Sequence, residues 1–120
     1  MKTAMKSSTG AALAAALALA VTAAGTQAAN LDAGKKFATE VCVACHGVDG
    51  NPTNPDYPKL GGQHPDYLAK ALRDYQSGAR NNAIMKGFAT MLKDADIGDV
   101  AAWYASQPRV LSPHPATAAK

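Results

Sequence analysis

Cys42-Val43-Ala44-Cys45-His46 is the stretch on which the reading of this chain turns. Two thiols three residues apart lie on one side of a helical turn, and an imidazole follows the second at once. C-x-x-C-H in this order is the attachment signal of a c-type haem. Both cysteines reach the two vinyl groups of one porphyrin, and His46 can turn its ring towards the iron. Three other readings of the pair have less behind them. A thioredoxin-like dithiol wants a βαβ setting, and no segment here alternates as a strand does. A Cys₂His₂ zinc centre would have to use His64 and His114, at a spacing foreign to zinc fingers. A plain disulfide between Cys42 and Cys45 would close a short, strained loop.

Towards the N-terminus, Lys2 and Lys6 precede an uncharged apolar run over residues 11–24, and Gly25-Thr26-Gln27-Ala28 follows. Basic, apolar, then small is the order of a secretory signal, and the run is short against the roughly 20 residues of a bilayer span. Residues 1–28 are therefore expected to be a leader, with the protein exported to the periplasm. The remaining 92 residues carry ten Lys/Arg against nine Asp/Glu, so the basic pI of about 9.0 belongs largely to the leader. With no basic stripe and no reader motif, nucleic acid is not an expected partner. The chain is long enough for one domain. It has 27 alanines, 12 of them within residues 1–29, and only seven aromatic side chains. So thin a core needs help, and a covalently held haem supplies apolar surface.

Towards the C-terminus, Asp32 is placed to cap a helix from Ala33 to about Val43. Residues 47–62, rich in Gly, Pro, Asn and Asp, read as loop. Pro65 suits a first helical position. Leu68, Ala71, Leu72 and Tyr75 form a stripe at helical spacing that Gly78 stops. Residues 80–92 are ambiguous, with Asn81-Asn82 in front and Gly87 inside. A last helix starts near Asp94, with Ile97, Val100, Ala101 and Tyr104 as its apolar stripe, and Pro108 ends it. Residues 108–120, Pro- and Ala-rich, read as a mobile tail. The expected fold is all-α, three to five helices in one domain over residues 29–107.

Val41 to Gly50, Pro58-Lys59-Leu60-Gly61-Gly62-Gln63, Ile84-Met85-Lys86-Gly87 and Ala101-Ala102-Trp103-Tyr104-Ala105-Ser106-Gln107 together resemble a class I cytochrome c. The likeness is to one half of the bacterial two-haem c-four-type cytochromes and to their small mono-haem relatives. It spans about residues 31–107, and the single C-x-x-C-H implies one haem. The resemblance implies His46 as proximal iron ligand and Met85 as the distal one. It also implies that the Pro58 carbonyl accepts from the other nitrogen of His46, and that Gly34 and Phe37 meet the last helix near Trp103 and Tyr104. Lys93-Asp94 departs from the Ser that relatives often place before the Asp, which leaves Asp94 to cap.

The function these residues imply is that of a periplasmic electron carrier. Its partners would be redox proteins of a respiratory chain: a quinol-oxidising complex or dehydrogenase as donor, a terminal oxidase or reductase as acceptor. No nucleophile–base pair suggests an enzyme. The rival is a haem module with an open iron position, a gas sensor or peroxidase, which requires that Met85 not ligate. Met91, beside Leu92 and before the last helix, reads as a core-filling residue, the commoner use of Met. Arg80 suits either a haem propionate or solvent, and His64 reads as a solvent-facing helix-start residue. Lys86 and Lys59 are expected near the haem edge, where positive charge would steer an acidic partner.

Overall fold

A computed structural model describes residues 27–111. The expected leader falls almost wholly outside the described residues, as do residues 112–120. The elements are α1 (Leu31–Phe37), a π-helical turn (Ala38–Cys42), α2 (Val43–His46), α3 (Pro65–Ser77), α4 (Ala83–Ala89) and α5 (Asp94–Ser106). The first three run on without a break, so the fold has four helical stretches and, among the described residues, no strand.

Local chemistry sets the helix ends. Asn30, not Asp32, caps the first helix: its side-chain oxygen accepts from the N–H groups of Asp32 and Ala33, both at 3.1 Å. The helix starts two residues earlier than expected and leaves Asp32 in the first turn, where the helix dipole favours it. It also continues through His46, because the π turn absorbs an extra residue before α geometry resumes. α3 opens with Pro65 at its first position and closes at Gly78, which is left-handed at φ 85°. The ambiguous stretch contains α4, capped by Asn82, whose side chain accepts from Met85 N–H at 3.0 Å. Asp94 does not cap α5. Lys93 holds the cap position and its N–H donates to the Asp96 carboxylate at 3.0 Å, while Asp94 pairs with Arg73.

The core is small. Ala38, Leu68, Ala89, Leu92, Ile97, Val100, Ala101 and Tyr104 are the buried hydrophobic residues, and Phe37, Leu60, Leu72 and Trp103 pack against this group. α1 crosses α5 at Gly34. A Cβ there would lie 2.1 Å from the Asp99 carbonyl oxygen and 3.0 Å from Trp103 Cβ. Hydrogen was therefore the one side chain that allows this approach, and Asn30 N–H to the Asp99 carboxylate at 2.8 Å fastens its edge. α3 lies against α5 through Leu68, and the Gln76 amide donates to the carbonyls of Ala89 and Leu92, at 2.8 and 2.9 Å, binding the end of α4 to α3.

These two helix glycines differ in what they do. Gly34→Ala should cost about 3 kcal/mol, because the obstructing atoms are backbone and cannot rotate away. Gly98, inside α5, has nothing within 4 Å of its Cβ position, so Gly98→Ala should gain ~0.5–1 kcal/mol from helix propensity alone. Thermal melts of the two variants check this: the midpoint should fall by 10 °C or more for the first and rise by roughly 4 °C for the second. Equal shifts of one sign would contradict the crossing.

Residues 108–110, read as the start of the tail, turn back and are hydrogen-bonded to Asn51, Lys59 and Gly62. Contrary to its sequence reading, Met91 is not core-filling. It is 62% exposed, and the side chain that goes inside is its neighbour Leu92.

Candidate functional site

The π turn and α2 bring Cys42, Cys45 and His46 onto consecutive turns. Both thiols are free and half-buried. Burial pushes the Cys42 thiol above its ordinary value, partly offset by the Tyr104 hydroxyl, with Cys45 adding to the rise. The thiol form is thus favoured until the sulfur is consumed. Burial likewise holds the Tyr104 phenol well above the usual range, so it stays a neutral donor.

His46 is 8% exposed, the one buried polar residue among those described. Its Nδ1 lies 2.9 Å from the Pro58 carbonyl oxygen. A carbonyl only accepts, so Nδ1 carries the proton and Nε2 keeps its lone pair for a metal. Gly47, at φ 74°, ends the helix directly after the imidazole. The turn beyond it is anchored by α5: Trp103 Nε1 donates to the Val48 carbonyl at 2.8 Å, and Tyr104 Oη to the Gly47 carbonyl at 3.1 Å. The α1–α5 crossing and the His46 turn therefore share Trp103.

The loop that carries Pro58 is built on Gly50. Its carbonyl accepts from Leu60 N–H at 2.8 Å and from Gly61 N–H at 3.0 Å, and Gly62 N–H reaches the Tyr104 carbonyl at 2.9 Å. Gly50 itself is at φ 72°, and a Cβ there would come 2.5 Å from the Gly61 nitrogen. Tyr57, next to Pro58 in this loop, has its ring centroid 6.4 Å from that of His46.

Met85 lies on α4 and is half-buried. α4 buries only Ala89. Ile84 and Phe88 on this helix are exposed, and so is Tyr57. In a chain with so few large apolar side chains, leaving these uncovered wastes the main folding force. The residues present fit a haem. Two free thiols one turn apart, an imidazole already held in the ligating tautomer, a thioether and uncovered apolar side chains are what a covalently bound porphyrin uses.

The other charged candidates sit elsewhere. Arg80 is exposed, as its solvent-facing reading expects, and there it donates to Tyr67 Oη at 3.4 Å and lies 5.0 Å over the Tyr75 ring. The Lys59 ammonium donates to the Val110 carbonyl at 3.0 Å, so it is engaged by the chain itself. His64 is exposed at the cap of α3 and its side chain makes no capping bond. The sequence reading missed Asn51. Its place between Gly50 and Pro52 marked a turn but gave no sign of its bonds to Pro108 and Val110. Among the described residues, no helix is long and apolar enough to cross a membrane.

Comparison with known proteins agrees with this geometry. The family model described as cytochrome c matches residues 31–107. Cytochrome c4 of Thiocapsa roseopersicina is 45% identical over 87 residues, covering 72% of this chain and 45% of that protein. Cytochrome c-554(548) of Halomonas halodenitrificans is 48% identical over 69 residues, covering 55% of this chain and 83% of that one. The crystal structure of reduced recombinant cytochrome c4 from Pseudomonas stutzeri superposes with a TM-score of 0.62 at 40% identity, over 68% of this chain and 47% of that chain. The chain thus spans about half the length of the cytochrome c4 proteins it matches. The matched region holds the helix crossing, the C-x-x-C-H turn and the Pro58 loop, and on that ground this chain belongs to the cytochrome c family.

Proposed function

We propose that this chain is a periplasmic, mono-haem electron carrier, exported by a leader over residues 1–28. Cys42 and Cys45 hold the haem through thioethers, and His46 and Met85 ligate its iron. The observation that carries the reading is the buried His46 with Nδ1 bonded to Pro58. That arrangement fixes both ring orientation and tautomer, which a permanent metal ligand needs. The haem, when bound, supplies a one-electron couple.

The residues around it keep the two redox states alike. His46 is held by a carbonyl on a loop that is itself hydrogen-bonded at Leu60, Gly61 and Gly62, so little moves when an electron passes. Met85 offers a soft, neutral sulfur, which favours the less charged ferrous state and raises the potential. The family match supports this reading over a sensor or peroxidase, whose open iron position needs Met85 to stay away. Donor and acceptor are redox proteins of a respiratory chain, met through the edge near Lys86.

Acid–acetone extraction of the purified holoprotein, followed by its reduced spectrum with and without carbon monoxide, tests the proposal. Haem should stay with the chain, and the reduced α band should be sharp and unmoved by the gas. Haem that leaves in the solvent sinks covalent attachment, and a carbon-monoxide shift favours the open site.

A further inference from the structure

The segment after α5 folds back across the loop that carries Pro58. The Asn51 side-chain amide bonds to it twice. Nδ2 donates to the Pro108 carbonyl at 3.0 Å, and Oδ1 accepts from Val110 N–H at 3.2 Å. This is the pairing a neighbouring strand would offer, made by one side chain. Arg109 donates to the Gly62 carbonyl at 2.8 Å, and Lys59 to the Val110 carbonyl at 3.0 Å. Glycine makes the approach feasible. A Cβ on Gly61 would lie 2.8 Å from the Pro108 carbonyl, and one on Gly62 would lie 2.7 Å from Arg109 Cβ. The Pro58 loop is therefore clasped on two sides, by residues 47–51 within and by residues 108–110 without.

We infer that residues 108–110 form a strap, with Asn51 and Arg109 as positioning residues, that holds the Pro58 carbonyl on His46 Nδ1 and thereby lowers the reduction potential of the bound haem. This rests on His46 being the iron ligand. A carbonyl kept firmly on Nδ1–H makes the imidazole a stronger electron donor, which favours the ferric state. A slack loop lengthens that hydrogen bond, weakens the donor and favours the ferrous state.

The sign of the shift separates this role from simple bracing. Loosening that merely admits water would favour the more charged ferric iron and move the potential down. Losing the strap's hold on Pro58 moves it up.

Two holoprotein variants test the strap, a chain ending at Gln107 and Asn51→Ala in the full chain. The reduced wild-type spectrum, with a sharp α band unmoved by carbon monoxide, tests the ligation underneath, and acid–acetone extraction tests the thioethers. Amide exchange at Leu60 and Gly61 in the holoprotein reports on the loop separately from the potential. Both variants should retain haem, lose about tenfold in protection at these two amides, and show a higher midpoint potential than the wild type. Unchanged protection in both variants would overturn the strap. Lower protection with an unchanged or lowered potential would overturn its role at His46.

Discussion

A chain with Cys42 and Cys45 both replaced by alanine should carry no haem after acid–acetone treatment and show no cooperative thermal transition. The reason lies in the size of the core. Eight hydrophobic residues are buried, three of them alanine, and only Tyr104 and Ile97 are large side chains fully enclosed. Small domains hold only a modest margin of stability. Here Tyr57, Ile84 and Phe88 remain exposed unless something covers them, and their burial at roughly 25 cal/mol per Å² is withheld without the porphyrin. Cys42 also packs directly on the core, so its loss removes packing as well as a thioether. Circular dichroism on heating is the measurement. A double variant that melts cooperatively within a few degrees of the wild type would show that the protein part folds alone.

Met85→Ala and Met91→Ala should separate as sharply. The first should abolish the far-red sulfur-to-ferric-iron band, admit carbon monoxide to the reduced protein and lower the potential, because the methionine sulfur is what raises it. The second should leave the spectrum unchanged. Met91 is exposed, so its truncation should alter stability by no more than ~0.5 kcal/mol, far less than a core methionine would cost. The Asn82 cap and the bonds from Gln76 hold α4 at both ends, which keeps Met85 in a fixed place. Survival of the far-red band in Met85→Ala together with its loss in Met91→Ala would reverse the assignment.

The architecture was legible wherever one local signal had one reading. The C-x-x-C-H run, Pro65, the Gly78 stop and the Ile97, Val100, Ala101, Tyr104 stripe each named its element correctly. Asn30 and Asp32 are both good caps, and nothing local says which wins; the contact from Asn30 to Asp99, 69 residues away, lies on the same side as the winner. α4 was obscured by Gly87, a helix weakener, and by its having a single buried residue. Met91 was misread because apolar character tells what a side chain avoids, not what covers it. The strap was invisible because backbone carbonyls and one amide make it, and residue type says little about either. The glycine pair at 61 and 62 was visible as a turn, but not that residues 49 and 51 crowd it from one side and residues 108 and 109 from the other.

The helix crossing at Gly34 also bears on how the chain reaches this structure. It joins residues 34 and 99, so the contact that completes the core closes a loop of most of the domain. Closure entropy rises with the logarithm of loop length, and folding slows as contacts become less local. α3 carries a proline start, a glycine stop and an i,i+4 ion pair from Lys70 to Asp74. All are local signals that can act before the crossing closes, though the packing of α3 comes from α4 and α5. The crossing has no such signals. An anchor between His46 and Met85 would divide the long closure into shorter ones, so attachment of the cofactor would bear on the pace of folding as well as its endpoint.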